Sequence, residues 1–163
     1  MFWIGFTDEQ FLEAEPGEEG RVGLLVLGNH KERFVVHFWT WSEEQYVAHW
    51  RKALQRAMNG QPSALVTDMA TPAQSSHLVW WPMWKTNSEL VLHNQLLFFA
   101  KYKVAGTNIS LDHLYDLIGE QKSHNDEGIP LSEWRVAVSD VEAFLKSNHS
   151  GGDWGTEDRR DVP

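Results

Sequence analysis

Residues 42–58 hold the clearest amphipathic helix of the chain, and the segments around it restrict the fold. Ser42-Glu43-Glu44-Gln45 fits a capping box, with Ser42 as N-cap and Gln45 three residues on. Apolar groups follow at Tyr46, Val47, Trp50, Leu54, Ala57 and Met58, the helical period. Asn59-Gly60 supplies a stop, with Pro62 just beyond. Most of the remaining chain reads as strands joined by short turns. Residues 22–28 and 33–41 flank Gly28-Asn29-His30-Lys31, and residues 77–84 and 89–99 flank Lys85-Thr86-Asn87-Ser88, so each pair predicts a hairpin. Locally paired strands make an antiparallel sheet. The expected class is therefore α+β rather than doubly wound.

The other elements are shorter. Residues 1–6 and 64–67 read as strands, and residues 134–138 alternate as a half-buried strand. Residues 7–21 are acidic and carry Pro16-Gly17 and Gly20, which predicts a connector. Leu111, Leu114, Leu117 and Ile118 predict a helix over 111–118, capped at Ser110 or Asp112. Ser139-Asp140-Val141-Glu142 fits a second capping box, opening a third helix to about Lys146. Pro82 lacks an N–H, which predicts an edge strand or a bulge for residues 77–84. The expectation is one α+β domain over residues 1–148, with six or seven strands and three helices. Residues 149–163, rich in glycine and charge, are expected to form a flexible acidic tail.

With 163 residues the chain buries enough surface to fold without a staple, and it has no cysteine to make one. No stretch approaches the ~20 apolar residues of a membrane span, and the N-terminus lacks the basic start of a signal peptide. The reading is a cytoplasmic protein. Fourteen Lys and Arg against 23 Asp and Glu give a net charge of −9. Residues 1–20 contribute −6 and residues 110–163 contribute −7. Nucleic-acid binders neutralise phosphates with clustered bases, a footprint absent here. An acidic protein is instead steered toward a basic partner.

Catalytic signatures are missing. There is no phosphate-binding glycine motif and no Gly-x-Ser-x-Gly elbow. The eight histidines include no i, i+4 pair of the zinc type, and His124-Asn125-Asp126-Glu127-Gly128 lacks the alternating ligands of a calcium loop. No cofactor or metal is expected. The nine tryptophans allow two readings. Trp50 and Trp134 lie on apolar stripes and belong to the core. Trp39 and Trp41 share one strand face. Trp80, Trp81 and Trp84 either fill an aromatic core or offer a platform for a sugar or other ligand, since Trp80 and Trp81 point to opposite faces of a strand.

Several pieces between Phe38 and Leu145 carry a family resemblance. They are Trp41-Ser42 leading into Tyr46-x3-Trp50-x3-Leu54; Ser63-Ala64-Leu65-Val66-Thr67; Trp80-Trp81-Pro82-Met83-Trp84; His93-Asn94-Gln95-Leu96-Leu97-Phe98; Ser132-Glu133-Trp134-x-Val136; and Val141-x2-Phe144-Leu145. In this order they resemble the immunity proteins of bacterial contact-dependent growth inhibition systems. The resemblance implies a cytosolic protein without catalysis of its own. Such a protein binds and blocks the C-terminal toxin domain of an exported effector, and many of these toxins are nucleases. The sequence leaves the oligomeric state open; the expectation is a monomer bound one-to-one to its toxin, with no direct contact to nucleic acid or membrane. The competing readings are a small carbohydrate- or ligand-binding module using the tryptophan-rich face, and an enzyme whose carboxylates or histidines meet only in space.

Charge points to one surface for a basic toxin. Asp112, Asp116 and Glu120 are spaced i, i+4, i+8, along one side of the helix expected there. Asp126 and Glu127 follow in a polar loop. These five are the candidate partner-binding residues, with Glu13, Glu15, Glu18 and Glu19 next.

Overall fold

The computed structural model describes residues 1–12, 19–105 and 109–147. The N-terminal sheet contains β1 (Phe2–Leu12), β2 (Glu19–Leu27) and β3 (His30–His37), all antiparallel and in that order. The central helix α1 (Glu43–Met58) follows. A second antiparallel sheet contains β4 (Ser63–Asp68), β5 (His77–Lys85), β6 (Glu89–His93), β7 (Gln95–Phe98) and β8 (Glu133–Ala137). Its order is β4-β5-β6-β8, with β7 paired to β5. Three short helices complete the described elements: α2 (Phe99–Tyr102), α3 (Leu111–Tyr115) and α4 (Val138–Lys146).

The expected α+β class with antiparallel sheets is observed. Eight strands and four helices stand where six or seven and three were expected. One hydrophobic cluster joins both sheets to α1. It runs from Phe2, Ile4, Phe6 and Leu25 through Tyr46, Trp50 and Leu54 to Leu65, Trp81, Met83 and Leu92. The expected tail, residues 149–163, lies outside the described residues.

The first hairpin turns at Gly28-Asn29, where Gly28 has φ +64° and so needs no strained side chain. That turn sets the register Leu27↔His30, so β3 starts earlier than expected and ends at His37. Trp39 and Trp41 therefore leave the strand. Gly23 lies beneath the Phe34 ring, which occupies the place a Cβ would take. The acidic connector expected over residues 7–21 is partly strand: β1 continues past a register shift between Phe6 and Gln10, and β2 begins at Glu19. Polar side chains hid it because Asp8 and Glu9 lie on the exposed part of this edge strand.

α1 forms as expected. Ser42 Oγ accepts the Gln45 N–H at 3.3 Å, and Gln45 Oε1 accepts the Ser42 N–H at 2.8 Å. Its buried side seals the free edge of β4. Trp50 Nε1–H donates to Val66 O at 2.8 Å, and the Val66 N–H donates to His49 Nε2 at 2.9 Å. Tyr46 Oη accepts the Met69 N–H at 2.8 Å and donates to His37 O at 3.0 Å, linking the two sheets. An exposed sheet edge invites non-native pairing, and here helix side chains satisfy it.

Pro82 lies in a central strand, against expectation, because β5 has neighbours on both sides. The missing N–H is accommodated by a lapse in one ladder. Trp80 pairs with Gln95 and Met83 with Leu92, while Trp81 and Pro82 lie opposite His93 and Asn94, where β7 and β6 separate. On the other side Pro82 still sits opposite Ala64.

Two helix boundaries also differ. α3 ends at Tyr115 rather than 118. Leu117 N–H and Ile118 N–H bond three residues back, to Leu114 O and Tyr115 O, which tightens the chain and turns it. Trp84 Nε1–H then holds Gly119 O at 2.9 Å. Ser110 takes the N-cap position, but its side chain makes no capping bond. α4 starts at Val138, directly from β8, with Ala137 at the cap position, so Ser139 is inside the helix and caps nothing. The Val138 N–H is satisfied by Ser88 O at 2.9 Å.

Candidate functional site

Two surfaces carry chemistry. The first is the acidic segment after α3. Asp112, Asp116, Glu120, Asp126 and Glu127 are all exposed. They do not form one helical row, because the helix stops at Tyr115 and only Asp112 lies within it. The chain folds back through Glu120, and a turn built on Asn125 carries the last two acids. Asn125 Oδ1 accepts the N–H groups of Glu127 and Ile129, and Gly128 adopts φ +77°. Two acids have partners: Asp112 lies 3.8 Å from Arg56 Nη1, and Asp126 lies 3.3 Å from Lys122 Nζ. The segment's apolar members explain the fold-back, since Leu114 and Tyr115 are buried and Leu117 and Ile118 pack on the core.

That packing covers the outer face of the second sheet and decides the tryptophan question. Trp80 is 4% exposed and Trp81 1%, although they point to opposite faces. Both faces are covered. A sugar platform at Trp80, Trp81 and Trp84 is thereby overturned: two are core, and the half-buried Trp84 has its indole N–H bonded to Gly119. Trp134 is half-buried, stacked on His30 and tilted against Trp81.

The second surface is a groove of about 510 Å³ between the outer side of α1 and α3, and no sequence pattern pointed to it. Trp41, Tyr115 and Leu111 form its apolar walls, with Lys52, Arg56 and Asp112 on the rim. His49 lines the floor and is 7% exposed. Its Nε2 accepts the Val66 N–H at 2.9 Å, which needs that nitrogen unprotonated and the ring neutral. Burial lowers the His49 pKa to about 3, against a hydrogen bond to the Ala64 backbone that raises it, and the nearby Lys52 ammonium adds to the lowering. The only hint in the sequence was a histidine beside Trp50 at the border of the apolar stripe.

His37 and His93 serve the fold. His37 Nδ1 lies 2.9 Å from Asp68 Oδ2, and the His37 N–H donates to Asp68 Oδ1, joining β3 to β4. Burial raises the Asp68 pKa, with the bonds to His37 working against it. His93 Nε2 lies 3.1 Å from Glu133 Oε2, across β6 and β8. Burial raises the Glu133 carboxyl, but hydrogen bonds from His93, Arg135 and Gln121 outweigh this and hold it below its ordinary value. Among the described residues no three His, Asp or Glu side chains gather as metal ligands, and no helix is long and apolar enough to cross a membrane.

Two antiparallel sheets closed around one long helix, with an acidic fold-back segment over the second sheet, define a small α+β domain. The chain belongs to the CdiI N-terminal domain family, which matches residues 36–144. It is 21% identical over 142 residues to immunity protein CdiI of Enterobacter cloacae subsp. cloacae, covering 84% of this chain and 95% of that protein. Its fold matches a chain of the CdiA-CT/CdiI toxin and immunity complex from Enterobacter cloacae with a TM-score of 0.74. That match has 21% identity and covers 89% of this chain and 96% of that one. The resemblance to contact-dependent growth inhibition immunity proteins is borne out. The family match begins at Val36, so nearly all of the N-terminal sheet lies before it.

Proposed function

We propose that this protein binds the C-terminal toxin domain of a contact-dependent growth inhibition effector in the cytosol, one-to-one, and neutralises it without catalysis of its own. The observation that carries this reading is membership of the CdiI N-terminal domain family. A fold shared with a chain of a toxin and immunity complex adds to it. The net charge of −9 suits a basic toxin, and a nuclease has the positive groove such a protein would block. Asp112, Asp116, Glu120, Asp126 and Glu127 form the toxin-facing group. Asp116, Glu120 and Glu127 contribute most, because Asp112 and Asp126 already have basic neighbours.

The test begins with purification from the native host, which yields a stoichiometric partner containing a toxin domain; recovery of none would sink the reading. Association is then measured for Asp116→Asn, Glu120→Gln and Glu127→Gln combined. At low salt the on-rate falls about tenfold, and its salt dependence becomes shallower. Equal rates at both salts would remove this segment from the interface and leave the N-terminal acids as the next candidates.

A further inference from the structure

Glu120 is tied to the second sheet through both of its chain neighbours. On one side Trp84 Nε1–H of β5 donates to Gly119 O at 2.9 Å. On the other, the Gln121 carboxamide donates from Nε2 to Glu133 Oε2 of β8 at 2.5 Å. Glu133 is itself held in place. Its Oε2 also lies 3.1 Å from Nε2 of His93, the buried residue directly opposite on β6, and its Oε1 accepts from Arg135 Nε at 2.9 Å. The Glu133 side chain is only 18% exposed. A carboxylate with donors on both oxygens has little freedom to turn, so whatever it holds is held by the sheet.

The far end of the acidic segment is fastened differently. Residues 123–131 close on themselves: Leu131 N–H donates to Ser123 O, and Asn125 Oδ1 takes the N–H groups of Glu127 and Ile129. Asp126 has Lys122 of the same loop 3.3 Å away. Among the described residues, neither Asp126 nor Glu127 is bonded to a strand. Glu120 alone of the loop acids is fixed to the sheet on both sides, and among the described residues it has no basic partner. A charge already in place loses little conformational freedom when a partner binds, and the gain appears mainly in the lifetime of the complex.

We propose that Gln121 and Glu133 are positioning residues of the toxin face. Glu133 holds Gln121, and that bond, with the one from Trp84 to Gly119, sets where Glu120 presents its carboxylate. Both act through Glu120. The proposal rests on the toxin-facing reading of Glu120 given above.

Gln121→Met keeps the side chain's length, removes the donor and leaves the net charge at −9. In the free variant the backbone order parameter at Glu120, measured by nitrogen relaxation, falls from about 0.85 to below about 0.6, while the melting temperature is kept. The toxin domain co-purified from the native host is the binding probe. Its association rate and salt dependence match the parent's, because the charges are unchanged, and its dissociation rate rises about three- to tenfold. In a Glu120→Gln background the same Gln121→Met change leaves dissociation unaltered, since the group it positions is gone. A rigid Glu120 in Gln121→Met, or an equal rise in dissociation with and without the Glu120 carboxylate, would overturn the proposal. Glu120→Gln alone separates the two readings. If it binds as the parent does, the toxin-facing reading fails at Glu120; if it weakens binding and Gln121→Met does not, only the positioning role fails.

Discussion

His49 makes stability depend on pH in a predictable direction. Its ordinary pKa is 6.5, and burial with help from Lys52 lowers it to about 3 in the folded protein. The folded form is thus built for the neutral ring, with Nε2 accepting the Val66 N–H. In the unfolded chain the ring takes a proton as pH falls through 6.5. The associated stability is fully present above 6.5 and is lost as pH falls toward 3. At ~1.4 kcal/mol per pH unit, the loss reaches about 2 kcal/mol at pH 5 and is bounded at about 5 kcal/mol. His49→Gln removes the titration and offers an Oε1 acceptor to the same N–H. At pH 7.5 it costs about 1–2 kcal/mol through lost contact with the Trp41 ring. Urea unfolding at pH 7.5 and 5.0 should show the parent losing about 2 kcal/mol more than the variant between the two conditions. That corresponds to about 1 M in the midpoint at a typical urea slope. Groups common to both proteins cancel in the comparison. An identical pH dependence for parent and variant would refute the account of His49 as a buried neutral acceptor.

Two further substitutions test the architecture. Ser42→Ala breaks both bonds of the capping box and should cost about 0.5–2 kcal/mol in chemical denaturation, whereas Ser139→Ala, which caps nothing, should stay within about 0.5 kcal/mol; equal effects would mean the α4 boundary is misplaced. Trp50→Ala empties the centre of the cluster and unpairs Val66 O, a loss of about 3–5 kcal/mol, while Trp50→Phe also loses that bond but keeps part of the ring volume and should cost clearly less; a parent-like melt for Trp50→Ala would place this side of α1 outside the core.

Local signals in the sequence determined the elements that local chemistry controls. The Ser42 box and the Tyr46–Met58 periodicity specify α1 because both act within a few residues. Gly28-Asn29 and Lys85–Ser88 specify two hairpins, and with them the antiparallel class. The motifs around Trp80-Trp81-Pro82 and Trp134 carried the resemblance, and they lie in the core or pack against it, within the matched residues 36–144. Tertiary structure decided whatever depends on a distant neighbour. Alternation put Trp80 and Trp81 on opposite faces, but both are buried only because the core packs on one face and Leu117 and Ile118 return over the other. The same return ended α3 early and dispersed the i, i+4, i+8 acids. Pro82 entered a central strand because β6 and β7 separate opposite it, a feature of the partner strands. Ser139 had the spacing of a cap, but β8 runs straight into α4 and leaves no loop to need one. The groove was illegible for the same reason: Trp41, His49, Lys52 and Tyr115 come from separate parts of the chain or from the border of one helix, and a cavity exists only where packed elements fail to meet.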